Sequence, residues 1–188
     1  INVFLHDIFR LYILIFESNV FMEKKQLVKN IFDSIAFRYD FLNRLLSFGI
    51  DIYWRNKALK ISGINNKSKL LDLACGTGDF AIAAKKFGAG EIIGADFSHN
   101  MLSHFTKKAE WSNGLIIQAA AEALPFQSGS FTNITVAFGV RNFHNLNSAF
   151  NEFYRVISES GKVTILEFTL PENKFIRAMY LFYFNKLL

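Results

Sequence analysis

Apolar positions change their period along this chain, and the changes mark out its elements. From Gln26 to Ile61 they recur at helical spacing: Val28, Ile31, Phe32 and Ile35 share one face, and Leu42, Leu45 and Leu46 continue it after a break near Asp40. Lys69 to Ala74 is instead a short apolar run that ends in the turn Cys75-Gly76-Thr77-Gly78, followed by helical character from Asp79 to Phe87 and a stop at Gly88. Glu91 to Asp96 reads as a second strand, Ser98 as the cap of a helix running to about Glu110, and Leu115 to Ala119 as a third strand. Phe131 to Phe138 forms a fourth. Leu146, Phe150, Phe153 and Ile157 mark one face of the next helix, and the turn Ser160-Gly161 leads into a fifth strand, Lys162 to Phe168. Such alternation predicts an α/β fold: a mostly parallel sheet with helices on both faces and ligands at the carboxyl ends of the strands. Residues 22–66 are expected to form an N-terminal helical cap and residues 67–188 the ligand-binding unit.

A chain of 188 residues suits one domain. It is 51% hydrophobic with 22 phenylalanines, yet charges recur often enough after residue 22 to exclude a membrane span there. A formal charge of +5 favours anionic surfaces. The lysines and arginines are scattered, however, and no basic stretch is interleaved with aromatics as a nucleic-acid groove requires, so nucleic acid is not expected as a partner. Cys75 stands alone and no Cys/His cluster has ligand spacing, which points to a metal-free protein of a reducing compartment, the cytoplasm. Residues 1–21 are apolar but interrupted by Asp7, Arg10 and Glu17, with no small-residue cleavage site. Because the chain begins with Ile1 and Met22-Glu23-Lys24-Lys25 reads like an ordinary start, that stretch is expected to be an upstream extension. The alternative is an amphipathic helix resting on a membrane.

The glycine turn satisfies the loose pattern G-x-G-x-x-A through Ala81, with Asp96 about twenty residues on, so a dinucleotide must be weighed. Charge separates the readings. A diphosphate would sit on the turn and the helix N-terminus, where Asp72 and Asp79 would repel it. S-adenosylmethionine carries no phosphate and brings a sulfonium and an ammonium that need negative neighbours. On this reading Asp72, Gly76, Thr77, Gly78 and Asp96 hold the cofactor, with Asp96 accepting from both ribose hydroxyls. The plainer alternative is that Asp79 stabilises a helix N-terminus and Asp72 makes an internal hydrogen bond. Cys75 reads as a small packing residue beside the ligand.

Seven stretches carry a resemblance: Phe32-Asp33-Ser34-Ile35-Ala36, Tyr39-Asp40, Leu46-Ser47-Phe48-Gly49-Ile50-Asp51, Trp54-Arg55, the turn from Asp72 to Asp79, Ala121-Glu122-Ala123-Leu124-Pro125-Phe126, and Phe138-Gly139-Val140-Arg141-Asn142. In this order they resemble the ubiquinone/menaquinone biosynthesis C-methyltransferases of the UbiE type, from about Leu27 to Leu188. The resemblance implies a Rossmann-like class I methyltransferase fold and an S-adenosylmethionine-dependent transfer to the ring of a prenylated quinol, demethylmenaquinol being the expected acceptor, with peripheral membrane contact. It also implies cofactor contacts at Thr77, Asp96 and the pair Ala120 and Ala121 after the third strand. The family usually has Asn or Asp where Ala120 stands, which leaves backbone contacts to the adenine here. Members continue for several dozen residues past the helix expected near Pro171, so the resemblance implies that the last two strands of the fold are missing and that the edge of the fifth strand is open to association.

Methylating an aromatic carbon needs an electron-rich ring held in line with the methyl donor. For such a reaction Arg141 is placed to stabilise a developing phenolate, Asn142 to orient the hydroxyl, and Tyr39 or Asp33 to close the site and relay a proton. His144 reads as either a base or a solvated loop histidine, and Trp54 and Arg55 read as packing and a surface pair. Two other classes remain open from sequence: a methyltransferase of another small acceptor, and a non-catalytic S-adenosylmethionine-binding fragment.

Overall fold

A computed structural model describes residues 30, 33, 36, 38–47 and 49–167, with the backbone alone at 39, 42 and 46. The expectations placed on residues 1–29, on Ile31, Phe32 and Ile35, and on residues 168–188 lie outside these. Helix α1 spans Tyr39–Leu46 and α2 Ile50–Ser62. The break expected near Asp40 lies just before it, where Ala36 and Arg38 are turn between helical Asp33 and the start of α1, and a further break, between Leu46 and Ile50, separates α1 from α2. A carboxylate in the first turn of α1 complements the helix dipole, so the polar position marks a helix start.

Strand β1 (Lys69–Leu73), α3 (Asp79–Phe87), β2 (Glu91–Asp96), α4 (His99–Lys108), β3 (Ile116–Gln118), β4 (Phe131–Ala137), α5 (Leu146–Val156) and β5 (Ile157–Leu166) follow. Among the described residues the strands form one parallel sheet in the order β3-β2-β1-β4-β5. β1 is exposed only at Lys69, as a central strand covered on both faces should be. Alternation along it sends Leu70 into a core with Leu59 of α2, Phe80 of α3 and Phe105 of α4, and Leu71 and Leu73 into a second core with Phe153 and Val156 of α5. Burying a side chain such as Phe105 contributes about 1.5–3 kcal/mol. Ser98 caps α4 as expected, its hydroxyl accepting from the Met101 N–H at 3.1 Å.

Three strand ends depart from the sequence expectation. The apolar pattern carries β1 on to Ala74 and β4 on to Phe138, but both adopt positive φ, 51° and 58°, and turn the chain out of the sheet. The helix expected to include Ile157 stops at Val156. Ile157 already pairs with Phe131, and the register then slips so that Lys162 meets Asn133. The turn read at Ser160-Gly161 is thus a bulge inside β5, and an apolar residue at helical spacing has gone to a strand because β4 offers it a partner. Strand order reverses between β1 and β4, and ligands of such sheets lie in the crevice at that point.

Candidate active site

At the reversal two loops leave the sheet side by side. After β1 comes the glycine turn, where Gly78 has φ 81° and a Cβ on it would lie 2.1 Å from the Phe105 ring. A side chain is excluded there by both conformation and space. After β4 comes Gly139, whose would-be Cβ meets Ala74 Cβ at 2.5 Å, so the Gly139 backbone packs directly on the Ala74 side chain at the end of β1. Val140–Asn142 then forms a single 3-10 turn.

Asp96 ends β2, against the glycine turn. Its Oδ2 accepts from the Gly76 N–H and its Oδ1 from the Ser98 N–H, both at 2.8 Å. A carboxylate has about four acceptor positions, so two remain for a pair of hydroxyls. Burial raises its pKa, against the opposing hydrogen bonds of Ser98 and Gly76. Asp72 lies opposite Thr135 in the β1–β4 register and accepts its hydroxyl at 2.8 Å. It is 1% exposed, its Oδ2 makes no well-formed hydrogen bond among the described residues, and burial raises its pKa to about 7. Cys75 is buried against Gly94, and burial pushes its thiol well above the usual range, which suits packing rather than reactivity.

The charges around the turn revise the electrostatic argument made from sequence. Asp79 is not a bare carboxylate: Lys108 of α4 bonds it directly, and Arg44 and Arg55 approach its Oδ2 at 3.5 and 3.6 Å. Repulsion of a diphosphate by Asp79 is therefore largely cancelled, and Asp79 holds helices together at the N-terminus of α3. Arg55 is also not a surface residue. It is 6% exposed, bonds Asp51 and lies 5.6 Å over the Phe138 ring, while Trp54 packs on the same ring as expected.

Thr77 donates to Asp40 of α1, and Asp40 accepts from Lys108 at 2.6 Å. Asp33 accepts from the hydroxyl of Ser98, two residues past Asp96. The cap thus meets the glycine-turn side of the cleft through two carboxylates, of which the sequence reading named Asp33 and missed Asp40. Tyr39 opens α1, and its side chain is outside the described residues.

Arg141 donates to Glu167 Oε1 at 2.6 Å, just past the end of β5, with its side chain 53% exposed. Asn142 is exposed in the same turn. Across the cleft Ala120 pairs with Ala123 in an isolated bridge and Ala121 is buried. The loop they begin is tied on two sides. Glu122 Oε1 accepts from the N–H groups of His144 and Asn145 at 2.6 and 3.2 Å, which joins this loop to the one that carries Arg141. Arg155 donates to the Phe126 and Leu124 carbonyls at 2.6 and 2.9 Å, and Glu152 accepts from the Leu124 N–H at 2.7 Å. The Arg155 guanidinium holds the Glu152 carboxyl below the usual range. None of Glu122, Glu152, Arg155, Lys108 or Glu167 was singled out from sequence; Glu152 and Arg155 share a helix face, a signal too common to select them. No group of His, Cys, Asp and Glu among the described residues could hold a metal ion.

A sequence model of the ubiE/COQ5 methyltransferase family matches residues 20–188. Over 161 residues the chain is 44% identical to the demethylmenaquinone methyltransferase of Thermus thermophilus, covering 84% of this chain and 73% of that one. Over 172 residues it is 42% identical to the ubiquinone/menaquinone biosynthesis C-methyltransferase UbiE of Geotalea uraniireducens, covering 88% and 73%. Its fold matches a solved SAM-dependent methyltransferase from Aquifex aeolicus with a TM-score of 0.62 at 18% identity over 76% of each chain. The match to the family model along most of the chain and these identities agree with the sheet order and the glycine turn, and the chain belongs to the ubiE/COQ5 methyltransferase family.

Proposed function

We propose that this chain is an S-adenosylmethionine-dependent C-methyltransferase acting on the ring of a reduced, prenylated quinone, demethylmenaquinol above all. The observation that carries the reading is the pairing, at one strand reversal, of a glycine turn backed by Asp96 with an Arg141-Asn142 turn on the neighbouring strand. The residues fit the cofactor: Asp96 keeps acceptor positions for ribose hydroxyls, and Asp72 has a buried oxygen that makes no well-formed hydrogen bond, with only the Ala81 N–H of α3 acting on its carboxylate from the backbone. When bound, S-adenosylmethionine supplies a methyl group activated by a sulfonium.

A ring carbon attacks that methyl only if electron density is pushed onto it, so the acceptor is the quinol, and loss of a hydroxyl proton raises its reactivity. Arg141 would hold the developing phenolate and Asn142 orient its oxygen. Asp33 and Tyr39 are the groups on the cap proposed to shield the cleft and pass the proton to solvent. The reading is tested by methyl transfer from labelled S-adenosylmethionine to a short-chain demethylmenaquinol. Label in the ring product supports it; label in a hydroxyl ether, or none, rejects it.

Two outcomes follow for the cofactor. Asp96→Ala should weaken S-adenosylhomocysteine binding in calorimetry by about 1.5–3 kcal/mol, since charge-assisted hydrogen bonds are lost. Unchanged affinity would remove Asp96 from the site. Affinity should also rise with pH. Asp72 titrates at about 7 in the free protein, and a cationic ligand nearby favours its ionised form, so binding expels a proton below that pH. S-adenosylmethionine affinity should climb by up to about tenfold per unit as pH approaches 7 and flatten above it. A flat profile, or one that survives in Asp72→Asn, would detach Asp72 from the cofactor.

A further inference from the structure

Glu122 stands between the loops that follow β3 and β4, and its carboxylate ties one to the other. It directly follows Ala120 and Ala121, and that pair is itself held in place: Ala120 bridges Ala123 and accepts its N–H at 3.1 Å, while Ala121 is buried. Further on, Leu124 is buried and its N–H is held by Glu152 at 2.7 Å. The loop after β3 is thus pinned on both sides of Glu122, which reaches out from it. Its Oε1 accepts from the His144 and Asn145 N–H groups at 2.6 and 3.2 Å. Asn145 caps α5, accepting the Ser148 N–H at 2.9 Å, so the carboxylate lies at the positive end of that helix.

The grip acts on the turn that carries Arg141 and Asn142. Only Phe143 separates Asn142 from His144, and the turn is closed by two hydrogen bonds, from the Asn142 N–H to the Gly139 carbonyl at 2.9 Å and from the Phe143 N–H to the Val140 carbonyl at 3.1 Å. A single 3-10 turn is weak by itself, and burial does little for this one, since Arg141 and Asn142 are both exposed. Its entry is seated on Ala74 through Gly139, and its exit is held by Glu122. We propose that Glu122 is a positioning residue that links cofactor binding to the acceptor turn. This rests on the reading above, with the cofactor at Ala120 and Ala121 and the quinol oxygen at Arg141 and Asn142. A cofactor that orders the loop after β3 fixes Glu122, and with it the exit of the acceptor turn. By linkage, an acceptor that orders the turn then strengthens cofactor binding by the same factor. A residue that only braced the N-terminus of α5 would add stability without linking the two ligands.

The test measures S-adenosylhomocysteine affinity by calorimetry, with and without a short-chain demethylmenaquinol kept reduced. In the wild type the quinol should tighten binding by about tenfold, an ordinary size for linked sites. Glu122→Ala should cut that gain to under about twofold while leaving affinity without quinol within about twofold. In turnover it should raise the quinol KM and lower kcat more than it raises the cofactor KM. Glu122→Gln should restore most of the gain, because an amide oxygen accepts from the same two N–H groups. Glu122→Asp, whose carboxylate is one methylene short of them, should fold and lose the gain, and it replaces the alanine variant if that one does not fold. A lower urea midpoint with the full gain kept assigns a bracing role alone and overturns the proposal. So does a glutamine variant that behaves like the alanine one, or a wild type without any gain. In that last case ring methylation in the labelled assay rejects the role of Glu122 alone, and its absence rejects the acceptor as well.

Discussion

Arg55→Ala is expected to remove about 3–5 kcal/mol of folding stability, a large share of what a domain of this size has. Arg55 is the cation between two carboxylates at the junction of α2, α3 and β4. It bonds Asp51, itself 2% exposed, lies 3.6 Å from Asp79, and covers the Phe138 ring. Burial acts to raise the pKa of Asp51, but hydrogen bonds from Ser47 and Arg55 and the charges of Arg55 and Arg44 outweigh it, and the net shift is downward. Without the guanidinium, burial is opposed mainly by Ser47 and the more exposed Arg44, so an ionised carboxylate is left in the interior. Urea unfolding should show the loss as a lower midpoint at unchanged slope.

Two controls separate charge from volume. Asp51→Asn with Arg55→Met should cost less than Arg55→Ala alone, because no unpaired charge remains. In the single variant the deficit should also narrow toward acid pH. A depressed carboxyl stabilises the wild type above its unfolded pKa and loses that contribution as pH falls, whereas protonation relieves the buried Asp51 of the variant. A loss under about 1 kcal/mol would mean that water or a side-chain shift solvates the site.

The alternation of strands and helices was legible because the hydrophobic period switches cleanly: Glu91 to Asp96 and Asp79 to Phe87 are found where expected. The strand ends at Ala74 and Phe138 were not, since an apolar residue in a left-handed conformation looks like one more strand residue until the neighbouring loop is known. The family-bearing stretches also named the glycines and Arg141 that crowd the reversal, and the spacing from the glycine turn named Asp96. The charge network around them was hidden by distance along the chain. Lys108 meets Asp40 across 68 residues and Asp79 across 29, so no local pattern pairs them. Two aspartates beside a glycine turn therefore read as an uncompensated negative patch, whereas in three dimensions Asp79 faces three cations. Glu122 was hidden in the same way, since its partners are the N–H groups of a loop beyond the next strand.

For Arg141→Ala, turnover should fall by about a hundredfold to a thousandfold while S-adenosylmethionine affinity stays within about twofold. The separation follows from where Arg141 sits. It leaves β4 on the 3-10 turn after Gly139, is half exposed, and is held by Glu167 at 2.6 Å rather than by any residue of the glycine turn. Its charge gains most when the acceptor oxygen becomes a phenolate, so its loss should be felt in the transition state more than in the bound ground state. Glu167 sharpens the test. If its carboxylate serves to orient the guanidinium, Glu167→Gln should lower turnover less than Arg141→Ala, and the double variant should lose little beyond Arg141→Ala alone. The result that would reject this role is a parallel fall in turnover and cofactor affinity together with a lower unfolding midpoint, because the Arg141–Glu167 pair would then be bracing the ends of β4 and β5 instead of serving the reaction.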